Sequence, residues 1–164
     1  MYKRQGISIT RDSQGETPWV ESWSIVSPYQ QGTNKIEVLL PSRLEPMRQY
    51  PVVYCLPVNP GTKGNWGHPL TEAIRCGLAE KYQAIFVTPS FSSMPWYGNN
   101  PENPLFREND HITKAVIPFI ESHYPVDKGG SRAHLIGFSK SALGALALFL
   151  NDPCLLYTSP SPRD

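Results

Sequence analysis

A lone serine stands where an apolar segment gives way to a segment of small residues. Residues 133–136 (AHLI) are followed by 137–141 (GFSKS) and then by an alanine- and leucine-rich run. This order predicts a strand, a tight turn with the hydroxyl of Ser139 at its apex, and a helix. Such a turn requires small residues two positions before and after the serine, and Gly137 and Ser141 meet that requirement. The chemistry predicted is nucleophilic attack by Ser139 on an acyl carbon, which needs a neighbouring base.

Backbone N–H groups near Ser139 are the expected stabilisers of an oxyanion. The start of a helix leaves N–H groups unpaired, so the N–H of Lys140 is the first candidate. The second donor is expected from the loop after the apolar run 52–56, and because Pro57 has no N–H it must be Val58 or Asn59. The Lys140 side chain is either solvated or in contact with an anionic substrate. The alternative for Ser139 is that its hydroxyl only caps the helix.

The elements around this turn follow an alternating order. Two antiparallel strands are predicted at 20–26 and 35–40, joined by a turn at 31–34, and buried strands at 52–56, 84–88 and 133–136. Helices are predicted at 70–82, from Asp110 onward with Pro118 as a possible kink, and at 141–150. Strands that alternate with helices imply a parallel sheet, so the predicted class is α/β with N-terminal antiparallel strands followed by β-α-β-α-β-α.

Composition excludes several function classes. The chain has 164 residues, 40% hydrophobic content and a net charge of +1, which suits one globular domain or part of one. The balanced charge gives no argument for a nucleic-acid partner, and no apolar run approaches the ~20 residues of a membrane span. No phosphate-binding glycine motif and no metal-ligand spacing is visible, so no cofactor or metal is expected. Cys55 and Cys76 are interpreted as small buried hydrophobic residues.

The segment 116–126 (VIPFIESHYPV), together with 132–133 and 137–145, resembles the putative-esterase family of α/β-hydrolases. That family includes S-formylglutathione hydrolases, feruloyl and acetylxylan esterases and mycolyltransferases, and its elbow typically reads G-x-S-x-G-G-x-G-A. Here Ser141 and Ala142 replace the two glycines. The resemblance implies a truncated α/β-hydrolase fold that ends after the elbow helix. It also implies a serine carboxylic-ester hydrolase with an acyl-enzyme mechanism, acting on a small-molecule or carbohydrate-linked ester.

The resemblance carries two further expectations about the site. In the family the region that corresponds to the loop 91–107 runs along the top of the sheet near the nucleophile. Trp96 and Tyr97 are therefore candidates for an aromatic pocket wall, and Trp66 in the earlier loop is a third. The alternative is that these rings only seal their loops onto the core.

The family order of catalytic residues is serine, acid, histidine, whereas all four histidines of this chain precede Ser139. The acid and histidine are therefore expected outside this chain, which would then be nearly inactive. The competing interpretation is a non-catalytic relative that serves as a carbohydrate or protein binding module.

The two ends of the chain suggest a DNA-level origin. Residues 1–5 and 154–159 can both be encoded by the transposase end sequence of tagmentation libraries, read in opposite directions. We therefore expect 1–5 and 154–164 to be adapter-derived and 6–153 to be the N-terminal part of a single α/β-hydrolase domain. The alternative for the tail is a disordered segment rich in serine and proline.

Overall fold

The computed structural model describes residues 2–4, 6–12, 19–61, 67–128 and 133–152. Within these residues a seven-stranded sheet has the strand order β1-β2-β3-β4-β6-β5-β7. The strands are β1 (Tyr2–Arg4), β2 (Ile7–Arg11), β3 (Val20–Val26), β4 (Asn34–Leu39), β5 (Val52–Leu56), β6 (Ile85–Pro89) and β7 (Ala133–Gly137). The helices are α1 (Pro69–Arg75), α2 (Leu78–Tyr82), α3 (Glu108–His111), a π-helical segment (Ile112–Val116), α4 (Ile117–His123) and α5 (Lys140–Asn151).

The sheet joins an antiparallel half to a parallel half, which confirms the predicted α/β class. Strands β1 to β4 pair antiparallel in sequence order, and β4 also pairs antiparallel with β6. Strand β5 pairs parallel with β6 on one side and with β7 on the other. The bounds predicted for β3 and β5 are those observed, and the other predicted strands lie within one residue of the observed ones. Strands β1 and β2 were not predicted from the sequence.

The helical segments differ from the predictions in three places. The single helix predicted at 70–82 is two helices, because Gly77 adopts a left-handed conformation with φ of +61° between them. The helix predicted to start at Asp110 already begins at Glu108. Pro118 lies in the first turn of α4 and is preceded by a π-helical turn, in which the N–H of Ile117 donates to the carbonyl of Ile112.

The sheet is covered on both faces by apolar packing. One face meets α3, the π-helical segment, α4 and α5, and its core includes Ile36, Tyr54 and Leu148. The other face meets α1 and α2 and includes Leu70 and Cys55. Burial of Cys55 is confirmed, whereas the prediction for Cys76 is wrong, since that residue ends α1 at the surface. In the part of the chain described here, no helix combines the length and apolarity needed to cross a bilayer.

Candidate functional site

The predicted tight turn is present between β7 and α5. Ser139 lies between the end of the strand at Gly137 and the start of the helix at Lys140, and it is exposed. Its backbone angles are φ 55° and ψ −124°, a conformation that costs about 1–3 kcal/mol for a residue with a side chain. A Cβ atom on Gly137 would lie 2.2 Å from the carbonyl oxygen of Ser141. The turn is therefore as cramped as the sequence predicts, and it presents the hydroxyl to solvent.

Ser141 stabilises this turn from inside. Its side chain is fully buried, and its Oγ accepts a hydrogen bond from the N–H of Phe138 at 2.8 Å and donates one to the carbonyl of Phe138 at 2.9 Å. The backbone N–H of Ser141 also donates to that carbonyl. The residue that departs from the typical glycine thus supplies hydrogen bonds that a glycine lacks.

Strand register brings the expected oxyanion loop beside Ser139. Leu56, the last residue of β5, pairs with Gly137, the last residue of β7, in a parallel ladder. The chain segments that follow these two residues therefore leave the same edge of the sheet side by side. Val58, Asn59 and Phe138 line one open cleft of about 180 Å³. Val58 and Asn59 therefore share a cleft with Phe138, the residue before Ser139, whereas Lys140 is not among the residues that line it.

The Lys140 side chain packs on an aromatic ring. Its Nζ lies 4.9 Å from the ring centroid of Trp96, which is 70% exposed, and such cation–π contacts contribute about 0.5–1 kcal/mol at exposed sites. Partial burial lowers the pKa of Lys140, and the negative charge of Glu108 opposes this shift. Burial raises the pKa of Glu108. The residue that follows Ser139 therefore carries a cation in contact with an exposed indole.

The structure places the three expected pocket aromatics differently. Trp96 is exposed beside the elbow, as a wall residue would be. Tyr97 is fully buried with a positive φ of 62°, and its hydroxyl donates to the carbonyl of Pro57. Its ring also packs so closely on α5 that a Cβ atom on Gly144 would lie 2.2 Å away. Tyr97 thus anchors its loop to the core and to the oxyanion loop, and in this structure it does not line an open pocket. Trp66 lies outside the described residues.

His111, His123 and His134 occupy three different environments. His111 is fully buried, its Nδ1 lies 3.0 Å from Ser27 Oγ, and burial lowers its pKa to about 4. His123 packs edge-on against Trp23, and His134 is exposed on β7. No described histidine forms a hydrogen bond with the Ser139 side chain.

Three polar residues lie together at the cleft. His68 lines the cleft, and its Nε2 is 2.9 Å from Oε2 of the buried Glu37 on β4. Thr88 pairs with Glu37 across the antiparallel β4–β6 ladder, lines the same cleft, and has no hydrogen-bond partner for its buried Oγ1. The signal in the sequence was a carboxylate between the apolar residues Ile36 and Val38 of β4. Among the described residues, no group of three His, Cys, Asp or Glu side chains is arranged to hold a metal ion.

The fold is similar to that of several solved esterases and hydrolases. The CE1 ferulic acid esterase AmCE1/Fae1A of Anaeromyces mucronatus superposes with a TM-score of 0.62 and 22% identity, over 90% of this chain and 59% of that chain. An S-formylglutathione hydrolase of Agrobacterium tumefaciens gives 0.66 and 17%, over 89% and 58%. A fluorophosphonate-binding serine hydrolase of Staphylococcus aureus gives 0.63 and 15%, over 84% and 53%. These similarities confirm the α/β-hydrolase fold. The chain spans less than two thirds of the length of each of these proteins.

Sequence comparison gives one family and no individual relative. A search of curated protein sequences finds no significant match. The sequence model described as Putative esterase matches residues 27–159, a range that starts just after β3 and includes the elbow. Since this match covers most of the chain, the protein with the strained, exposed Ser139 belongs to the Putative esterase family.

Proposed function

We propose that this chain is part of a serine carboxylic-ester hydrolase in which Ser139 is the nucleophile. The observation that carries the proposal is the geometry of Ser139, which is exposed on a strained backbone at the start of a 12-residue helix. Family membership and the esterase folds of the neighbours support the reaction class. A serine that only capped the helix would form a side-chain hydrogen bond to the first turn, and Ser139 forms none.

The proposed mechanism is acyl transfer through a covalent intermediate. Ser139 Oγ attacks the ester carbonyl, and the carbonyl oxygen becomes an oxyanion. The N–H of Lys140, with that of Val58 or Asn59, donates to this oxyanion, and such preorganised donors are each worth about 2.7–4 kcal/mol of transition-state stabilisation. The alcohol leaves when the tetrahedral intermediate collapses, and water then hydrolyses the acyl-serine. Both steps require a base that moves the proton.

We propose that this base and its acid partner come from outside the chain. All four histidines precede Ser139 in the sequence, and none of them forms a hydrogen bond with its side chain within the described structure. The chain alone is therefore expected to keep only the part of catalysis that is due to oxyanion stabilisation and binding. The proposed substrates are small-molecule or carbohydrate-linked esters. A neighbouring ferulic acid esterase was solved in complex with ferulic acid, which is one example of such an acyl group.

A fluorophosphonate probe and p-nitrophenyl acetate test these statements. The product of the complete gene should be labelled at Ser139 and should hydrolyse the ester, and Ser139→Ala should abolish both. The 164-residue chain should turn over the ester no faster than its own Ser139→Ala variant. Rapid Ser139-dependent turnover by this chain would refute the external base. Lack of labelling in the complete product would favour the alternative, a carbohydrate or protein binding module.

A further inference from the structure

The contact between His68 and Glu37 fixes the role of each imidazole nitrogen. Glu37 is buried, and an ionised carboxylate only accepts hydrogen bonds, so His68 Nε2 must be the donor across their 2.9 Å contact. In a neutral imidazole, Nδ1 is then an acceptor. His68 precedes α1 without a side-chain capping bond, and no described residue forms a hydrogen bond with its Nδ1. A buried acid thus holds a histidine whose second nitrogen has no partner in the described structure.

A second polar group of the same cleft also lacks a partner. Thr88 is 3% exposed, and its Oγ1 has no hydrogen-bond partner within the described residues. A hydroxyl left unpaired at such a site costs about 1–3 kcal/mol, and a ligand that pairs with it removes this cost. The cleft therefore offers one acceptor, Nδ1 of His68, and one hydroxyl that both donates and accepts. This combination is complementary to a hydroxyl group on a ligand.

The rest of the cleft limits the charge and character of that ligand. Its walls include the apolar side chains of Leu56, Val58 and Phe138. The acidic groups at the cleft are Glu72, which lines it, and Glu37 behind His68. An anionic group is therefore disfavoured, and an uncharged, largely apolar group is favoured.

We propose that this cleft binds an uncharged, hydroxyl-bearing group of the substrate, with His68 and Thr88 as specificity-determining residues and Glu37 as the residue that positions His68. The inference rests on the proposed esterase function only where it assigns the cleft to the substrate. The cleft contains the residues expected to provide the second oxyanion donor. A group bound there is thus the part of the ester next to the reacting carbonyl.

Binding of phenol and anisole to the 164-residue chain tests the proposal without any need for catalysis. The two probes share the ring, but only phenol can donate a hydrogen bond to Nδ1. We expect phenol to bind about threefold to tenfold more tightly than anisole at pH 8, as one net hydrogen bond predicts, and to shift the imidazole nitrogen signals of His68. Benzoate should bind more weakly than phenol. Equal affinities for phenol and anisole, or a preference for benzoate, would overturn the proposal.

Variants distinguish the positioning role of Glu37 from a contribution to packing alone. Glu37→Gln keeps the shape, but an amide can donate to Nε2 as well as accept from it, so the proton is no longer confined to Nε2 and the preference for phenol should fall towards onefold. Glu72→Gln, at the same cleft, is the matched control and should keep both the preference and the tautomer. His68→Phe and Thr88→Val should each reduce the preference. A wild-type spectrum with the proton on Nδ1, or an unchanged preference in His68→Phe, would refute the assignment. Failure of the Ser139 labelling experiment would leave these binding results unaffected.

Discussion

The buried hydroxyl of Ser141 binds both backbone polar groups of Phe138, accepting from the N–H at 2.8 Å and donating to the carbonyl at 2.9 Å. These two bonds close the turn around Ser139, the proposed nucleophile, from within. The position that departs from the typical family glycine is therefore a stabilising feature of this chain.

Replacing Ser141 tests that statement. Ser141→Ala removes the hydroxyl that accepts from the Phe138 N–H, and we expect a loss of about 1–2 kcal/mol in the free energy of unfolding. Urea denaturation followed by circular dichroism measures it. Ser139→Ala, two residues away, is the control and should change the free energy by less than about 0.5 kcal/mol, since that hydroxyl is exposed and caps nothing. A Ser141→Ala variant as stable as the wild type would contradict the role of these bonds.

The strain at Ser139 predicts a stabilising substitution. Glycine tolerates φ of 55° with ψ of −124° far better than a residue with a Cβ atom. Ser139→Gly should therefore be about 1 kcal/mol more stable than Ser139→Ala in the same urea experiment. A glycine variant more stable than the alanine variant would show that the backbone strain lies at Ser139, the proposed nucleophile. A less stable glycine variant would show that the turn is relaxed.

The crowding at Gly137 predicts a strong loss. A Cβ atom there would meet the carbonyl oxygen of Ser141 at 2.2 Å, and backbone atoms of the elbow cannot yield cheaply. Gly137→Ala should therefore lower the free energy of unfolding by more than about 3 kcal/mol. Gly98→Ala is the matched control, because Gly98 has no positive φ and a Cβ atom added to it would meet no other atom within 4 Å. Similar thermal midpoints for the two variants would contradict the geometry of the turn.

Much of this architecture was accessible from the sequence, because local patterns determined it. The buried strand 52–56 and the elbow follow from continuous apolar runs that end at proline or glycine. Strand β2 was missed since five residues with Ile7 and Ile9 give a weak alternation. The pairing of Glu37 with His68 was not predictable, because the two residues are 31 positions apart and meet only when α1 packs over β4. Tyr97 illustrates the same limit. An aromatic residue in this loop fits a pocket wall, but the burial of its ring depends on tertiary packing, which the local sequence does not determine.

Burial of His111 predicts a pH dependence of stability. Its pKa is about 4 in the folded chain, below the ordinary value of 6.5, because burial disfavours the charged imidazolium. The unfolded chain therefore binds more protons between these values. Its contribution to stability is complete above pH 6.5 and falls as the pH drops towards 4, by about 3 kcal/mol in total. Urea midpoints measured from pH 7.5 to 4.5 should decline less steeply in His111→Gln than in the wild type. The exposed His134→Gln is the control and should follow the wild-type curve.

The contact of Tyr97 with Gly144 couples the motions of three segments of the chain. One side chain joins the 89–107 segment to the elbow helix through its ring and to the oxyanion loop through its hydroxyl. The 89–107 segment, the elbow helix and the oxyanion loop are therefore expected to open together, as a single cooperative unit in hydrogen exchange. Loosening of the 89–107 segment would then disturb the positions of the proposed oxyanion donors and of Ser139 at the same time, although no residue of 89–107 belongs to the proposed reacting groups.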